Sequence, residues 1–156
     1  GRYVAFGSTD GVLRLWWTEE GGRVEELGSH RSAIWSLDVS ARGEYICTAS
    51  IDRIIRLWDV GSRALAAEYC GHEKEVLCVR FAPDAKLIAS GSPDRTLRFW
   101  NINQRHRQLV RQGHFGGITA LSDKEHAFLT VDSTGTATLQ VPAPGGGLAG
   151  RQGEIT

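Results

Sequence analysis

Several familiar signals are missing from this sequence, and each absence removes a class of protein. No apolar run approaches the roughly 20 residues that a membrane helix needs. The three cysteines, Cys47, Cys70 and Cys78, include no pair at C-x-x-C spacing, which argues against a zinc ribbon or a thioredoxin-type centre. An odd count with no secretory signal at the start fits free thiols in a reducing, intracellular compartment. Charge of either sign is not in excess: 18 basic and 18 acidic residues cancel, so neither nucleic acid nor an anionic membrane is implied as a bulk partner. Lysine occurs only at Lys74, Lys86 and Lys124, and the other basic residues are arginine, whose planar fork suits interfaces. A coding bias toward arginine explains that equally well. Methionine is absent and the first residue is glycine, so the chain reads as a piece of a longer protein.

What is present is a repeat. Trp16, Trp58 and Trp100 stand 42 residues apart, as do Asp10, Asp52 and Asp94, and His30, His72 and His114. Segment 71–101 repeats the pattern of 29–59, residues 1–16 supply the second half of another copy, and 113–141 form a decayed one. Short runs rich in Val, Ile, Leu and aromatic residues alternate with turn signals such as Ser40–Gly43, Ala82–Ala85 and Asp10-Gly11. No stretch has a helical period. About 14 strands are expected: two from the half repeat 1–17 and four each from repeats 18–60, 61–102 and 103–141. Residues 142–156, rich in Gly and Pro, are expected to be a flexible tail. The match of Gly145–Gly150 to a dinucleotide-binding glycine pattern lacks the flanking strand and helix that such a site requires.

A period near 42 with Gly-His early and Trp-Asp late resembles the WD-repeat family. That resemblance implies an all-β fold of about 3.5 propeller blades, each a four-stranded antiparallel sheet. It also implies a buried hydrogen-bonded set in each copy: His30, Thr48, Asp52 and Trp58, then His72, Ser90, Asp94 and Trp100. The chemistry suits this, because Asp accepts from turn N–H groups and imidazole, and a hydroxyl accepts from the indole N–H, which only donates. The half repeat has Phe6 at the hydroxyl position. The last copy keeps His114 and Thr130 but has Thr134 and Gln140 in place of Asp and Trp, so it is expected to be the loosest. A catalytic reading of His, Asp and Ser fails, because a hydrolase needs one exposed nucleophile with an oxyanion hole, not a periodic set capped by Trp. No enzyme activity, cofactor or metal is expected.

The function implied is a scaffold for protein partners in a multi-subunit complex, with further repeats or another chain completing the propeller. Trp35 stands where the other copies hold Leu77 and Thr119, and it is a candidate contact together with Arg53, Lys74 and Arg95. Two runs carry a narrower resemblance: His30, Ala33-Ile34-Trp35, Gly43, Tyr45 and Asp52-Arg53 through Trp58, followed by Gly71-His72, Val76, Cys78, Arg80-Phe81 and Gly91 through Trp100. They are similar to consecutive blades of the WD-repeat subunits of the TFIID and SAGA transcription complexes. This implies a nuclear location and histone-fold partners. Gly61 and Asn103 follow the Trp58 and Trp100 dipeptides where ubiquitin-ligase receptors of the same family often carry Arg, which argues against that role.

Overall fold

The computed structural model describes residues 2–19 and 21–103, and after them the backbone of strands between 108 and 150. The fold is all-β and antiparallel, as part of a propeller should be. The first sheet contains β1 (Tyr3–Gly7), β2 (Val12–Trp17) and β3 (Arg23–Ser29). The second contains β4 (Ile34–Val39), β5 (Tyr45–Ser50), β6 (Ile54–Asp59) and β7 (Ala64–Cys70). The third contains β8 (Cys78–Phe81), β9 (Leu87–Gly91), β10 (Thr96–Asn101) and β11 (Gln108–Gln112). The fourth contains β12 (Ile118–Lys124), β13 (Ala127–Asp132), β14 (Ala137–Pro142) and β15 (Leu148–Gly150). Among the described residues no helix is long and apolar enough to cross a membrane.

Two features differ from the sequence expectation. The segment expected to be tail contributes β15, whose Ala149 pairs with Val141 and covers the free edge of β14. The repeat units 18–60, 61–102 and 103–141 are also out of phase with the sheets. Each unit opens with β3, β7 or β11, the strand that closes the preceding sheet. Phasing on the His and Trp motifs groups residues by sequence, whereas the backbone ladder groups them by hydrogen bonding.

The sheets stack face to face, with β4 beside β8 and β8 beside β12. Between the first and second sheets lie Leu13, Leu15 and Leu27 against Ile46, Trp58 and Val60. Between the second and third lie Ile55, Leu57, Ala67 and Tyr69 against Val79, Phe81, Ile88 and Trp100. A sheet enclosed on both faces buries successive residues of its strands, whereas a sheet enclosed on one face alternates. Accordingly β6 is buried at four consecutive positions, Ile55 through Trp58, while β2 is buried only at Leu13 and Leu15. Burying each such large side chain stabilises the stack by about 1.5–3 kcal/mol.

Candidate functional site

The tight turn between β5 and β6 places Asp52 with its carboxylate turned inward, accepting from the Ile54 N–H at 3.1 Å. His30 arrives on the link from β3 to β4. Its Nδ1 lies 2.9 Å from Asp52 Oδ2 and its Nε2 2.7 Å from Thr48 Oγ1. Trp58 Nε1–H donates to the same hydroxyl at 2.9 Å. The third sheet repeats this: His72 Nδ1 is 2.7 Å from Asp94, His72 Nε2 is 2.7 Å from Ser90 Oγ, and Trp100 Nε1–H donates to Ser90 at 2.8 Å. His114 lies outside the described residues, as do the side chains of Thr130, Thr134 and Gln140.

Burial is the larger influence on both imidazoles. It lowers their pKa against the opposing pull of Asp52 and Asp94. Each ring is therefore neutral at pH 7, with Nδ1–H donating to the carboxylate and Nε2 accepting from the hydroxyl. The His–Asp contacts are hydrogen bonds to an anion rather than pairs of full charges. Thr48 and Ser90 are both fully buried, so a substrate in solution cannot meet either hydroxyl.

The sequence reading missed one member of this set. Arg56 Nη1–H donates to Asp52 at 2.8 Å and Nε–H to Glu68 at 2.7 Å. Arg14, Arg56 and Arg98 also fall 42 residues apart, which was the available signal. In the third sheet, Thr96 Oγ1–H takes Asp94 Oδ1 at 2.7 Å, and Arg98 Nε–H donates to Thr96 at 3.2 Å instead. Ile54 occupies the Thr96 position in the second sheet and has no hydroxyl to intervene. In the first sheet Arg14 reaches both Asp10 and Glu26 at 3.0 Å.

The turns that follow β5 and β9 carry Arg53 and Arg95, the link before β8 carries Lys74, and Trp35 stands near the start of β4. Ile34 pairs with Ser50 and Ser36 with Ala49, so β4 bulges and Trp35 has no residue opposite. A bulge re-aims the extra side chain, and Trp35 is 61 % exposed. Arg53 and Arg95 occupy equivalent turn positions with φ of 70° and 67°, where the first sheet has Gly11 at 83°. Both are exposed, as is Lys74 in the link before β8. Arg53 Nη1–H reaches the Glu73 carbonyl at 3.4 Å, joining this turn to that link. Ile51, also exposed, adds apolar surface that the sequence reading overlooked; its N–H donates to Ala33 O at 3.2 Å.

At the opposite end, a groove of about 1090 Å³ lies between the first two sheets, lined by Tyr3, Trp17, Arg42, Tyr45 and Arg63 among others. Tyr3 Oη–H donates to Gly43 O at 2.9 Å, and the Arg63 guanidinium stacks 5.7 Å from the Trp17 ring centre.

Residues 21–59 and 64–101 match the family described as WD domain, G-beta repeat. No curated protein matches the chain.

Proposed function

We propose that this chain, which carries WD repeats, serves as a protein-interaction scaffold whose partner docks on the turn-bearing end around Trp35. The observation that carries the reading is the bulge that lifts Trp35 out of the sheet and leaves it 61 % exposed. A large exposed aromatic stabilises little in the free protein, but it gives a partner a rigid apolar anchor. The exposed Arg53, Lys74 and Arg95 would add cationic contacts, and the exposed Ile51 further apolar surface. Both arginines keep a left-handed backbone that favours glycine, and such local strain is often found where a side chain serves binding.

A narrower assignment is a subunit of a nuclear transcription complex of the TFIID and SAGA kind. It is supported by the run from His30 through Trp58 and by its continuation from Gly71 through Trp100. The contrasting reading is a half-propeller that stacks but docks nothing.

The test compares complexes purified on the wild-type chain with those on Trp35→Ala and Arg95→Ala, each variant also being melted. Docking at this end predicts a loss of affinity of about tenfold or more for Trp35→Ala and melting close to wild type. Full retention of partners by both variants overturns the docking site. Partners that include histone-fold subunits would support the narrower assignment.

A further inference from the structure

At two turns, neighbouring residues of opposite charge meet opposite surroundings. Asp52 and Arg53 follow β5, and Asp94 and Arg95 follow β9. The carboxylates are taken inside, by His30 and Arg56 in one sheet and by His72 and Thr96 in the other, and their side chains are only 7 % and 3 % exposed. The arginines, on a left-handed backbone, are both exposed. A partner in contact with either turn therefore meets the guanidinium and not the carboxylate.

Hydrogen bonds tie the two turns into one run. The Arg31 N–H donates to Asp52 Oδ2 at 3.2 Å, Arg53 Nη1–H reaches the Glu73 carbonyl at 3.4 Å, and the Glu73 N–H donates to Asp94 Oδ2 at 3.0 Å. Arg31, Arg53, Lys74 and Arg95 thus follow one another across the second and third sheets. All are exposed, and none pairs with a carboxylate among the described residues. By contrast Arg14, Arg63 and Lys86 reach Glu26, Glu25 and Asp84 at 3.0, 2.8 and 3.7 Å. The carboxylates along the run are those of Glu73, which is exposed, and Glu75, which is half-buried. Ile51 joins the same neighbourhood: its N–H donates to Ala33 O at 3.2 Å, and Ser50 before it pairs with Ile34, next to Trp35.

We propose that the partner segment received here is an acidic peptide, with carboxylates spaced along it and a bulky apolar side chain for Trp35 and Ile51. This rests on the reading that partners dock around Trp35 and adds the chemistry of what docks. A cation already held by a carboxylate gives up that bond to bind another, whereas these four give up only water. Guanidinium groups also take a carboxylate through two parallel N–H bonds. Their summed field draws an acidic segment in before contact, although the chain as a whole has no net charge. Nucleic acid fits less well: its unbroken row of phosphates would be set against Glu73 and Glu75, while a peptide can space its carboxylates to miss them.

The test follows the fluorescence anisotropy of a fluorescein-labelled peptide of alternating Glu and Leu on the full chain, beside its Lys-Leu counterpart and a single-stranded oligothymidylate. The Glu-Leu peptide should bind about tenfold or more tightly than either, and added salt should weaken it. The double variants Arg53→Gly, Arg95→Gly and Arg31→Glu, Lys74→Glu should each weaken it by about fivefold or more. Arg42→Glu, on the β4–β5 turn outside the run, should weaken it by less than about twofold. The first double variant relieves a positive φ and the second has none to disturb, so both should fold. Absent binding of the Glu-Leu peptide, equal binding of the Lys-Leu peptide or the oligonucleotide, or a loss in Arg42→Glu as large as in the double variants overturns the proposal. A loss in Trp35→Ala with none in the double variants also overturns it, yet leaves docking around Trp35 standing. A loss in the double variants with none in Trp35→Ala does the reverse: it supports the acidic partner and removes Trp35 as its anchor.

Discussion

Gly28 on β3 lies directly against the six-membered ring of Trp58 on β6: a Cβ built at Gly28 would stand 2.2 Å from Trp58 Cζ3. The contact joins two sheets. Trp58 is fixed from its other end by the bond to Thr48, so the ring has little freedom to yield.

Gly28→Ala should therefore destabilise the chain by about 1–3 kcal/mol, the usual cost of overpacking a filled core. Urea unfolding checks this. A midpoint equal to wild type would show that the two sheets separate easily at this seam.

Thr48→Ala should cost about 2–4 kcal/mol, because it strips a partner from both the Trp58 indole N–H and the His30 ring nitrogen, each buried. Ser90→Ala should act similarly through Trp100 and His72. Thr48→Ser keeps the hydroxyl and should recover most of the loss. Thermal melting of the three variants decides, and a Thr48→Ser variant as weak as Thr48→Ala would locate the effect in the lost methyl group.

Acid should weaken the fold in two stages. Burial lowers the pKa of His30 and His72 below 6.5, so the unfolded chain takes up those protons first. The stability they contribute is complete above about pH 6.5 and is lost as pH falls through the folded-state values. At Asp52 and Asp94 burial pushes the pKa upward, but hydrogen bonds from Arg56 and His30, and from Thr96 and His72, outweigh it. Their contribution is complete above about pH 3.8 and is lost as pH falls through the lower folded-state values. The melting temperature should be level above pH 7 and decline below it, with the first stage removed in the double variant His30→Gln, His72→Gln. A melting temperature that rises between pH 7 and pH 5 would contradict this.

Arg53→Gly and Arg95→Gly should leave stability equal or raise it by about 0.5–1 kcal/mol, since glycine relieves the positive φ at both turns. If these arginines serve docking, the same variants lose partner while melting no lower than wild type. Clear destabilisation in both would mean that the side chains support the turns themselves.

The parts of this architecture that could be read from sequence are those written in identical residue types at one interval. The period of Trp16, Trp58 and Trp100 located strands β1–β14, and the recurring His, Asp and hydroxyl residues located the buried sets. Arg56 escaped notice because an arginine on a strand ordinarily reads as solvent-facing. Only the fold shows it closing over Asp52 with Ile54 beside it. The exposure of Trp35 depends on a bulge, a local miscount between two strands that leaves no mark in either strand alone. The phase of the sheets was hidden for a related reason: β3 and β7 have ordinary strand sequences, and nothing in them states which neighbour they pair with.

The one-strand offset between repeat and sheet bears on how such a chain can be edited by heredity. Across the first three copies a deletion or duplication of 42 residues joins equivalent positions wherever it starts, so the breakpoints need not respect sheet boundaries. A break between β3 and β4 and a break inside β5 yield the same succession of strands. Each new copy therefore opens with the one strand that completes the sheet it joins.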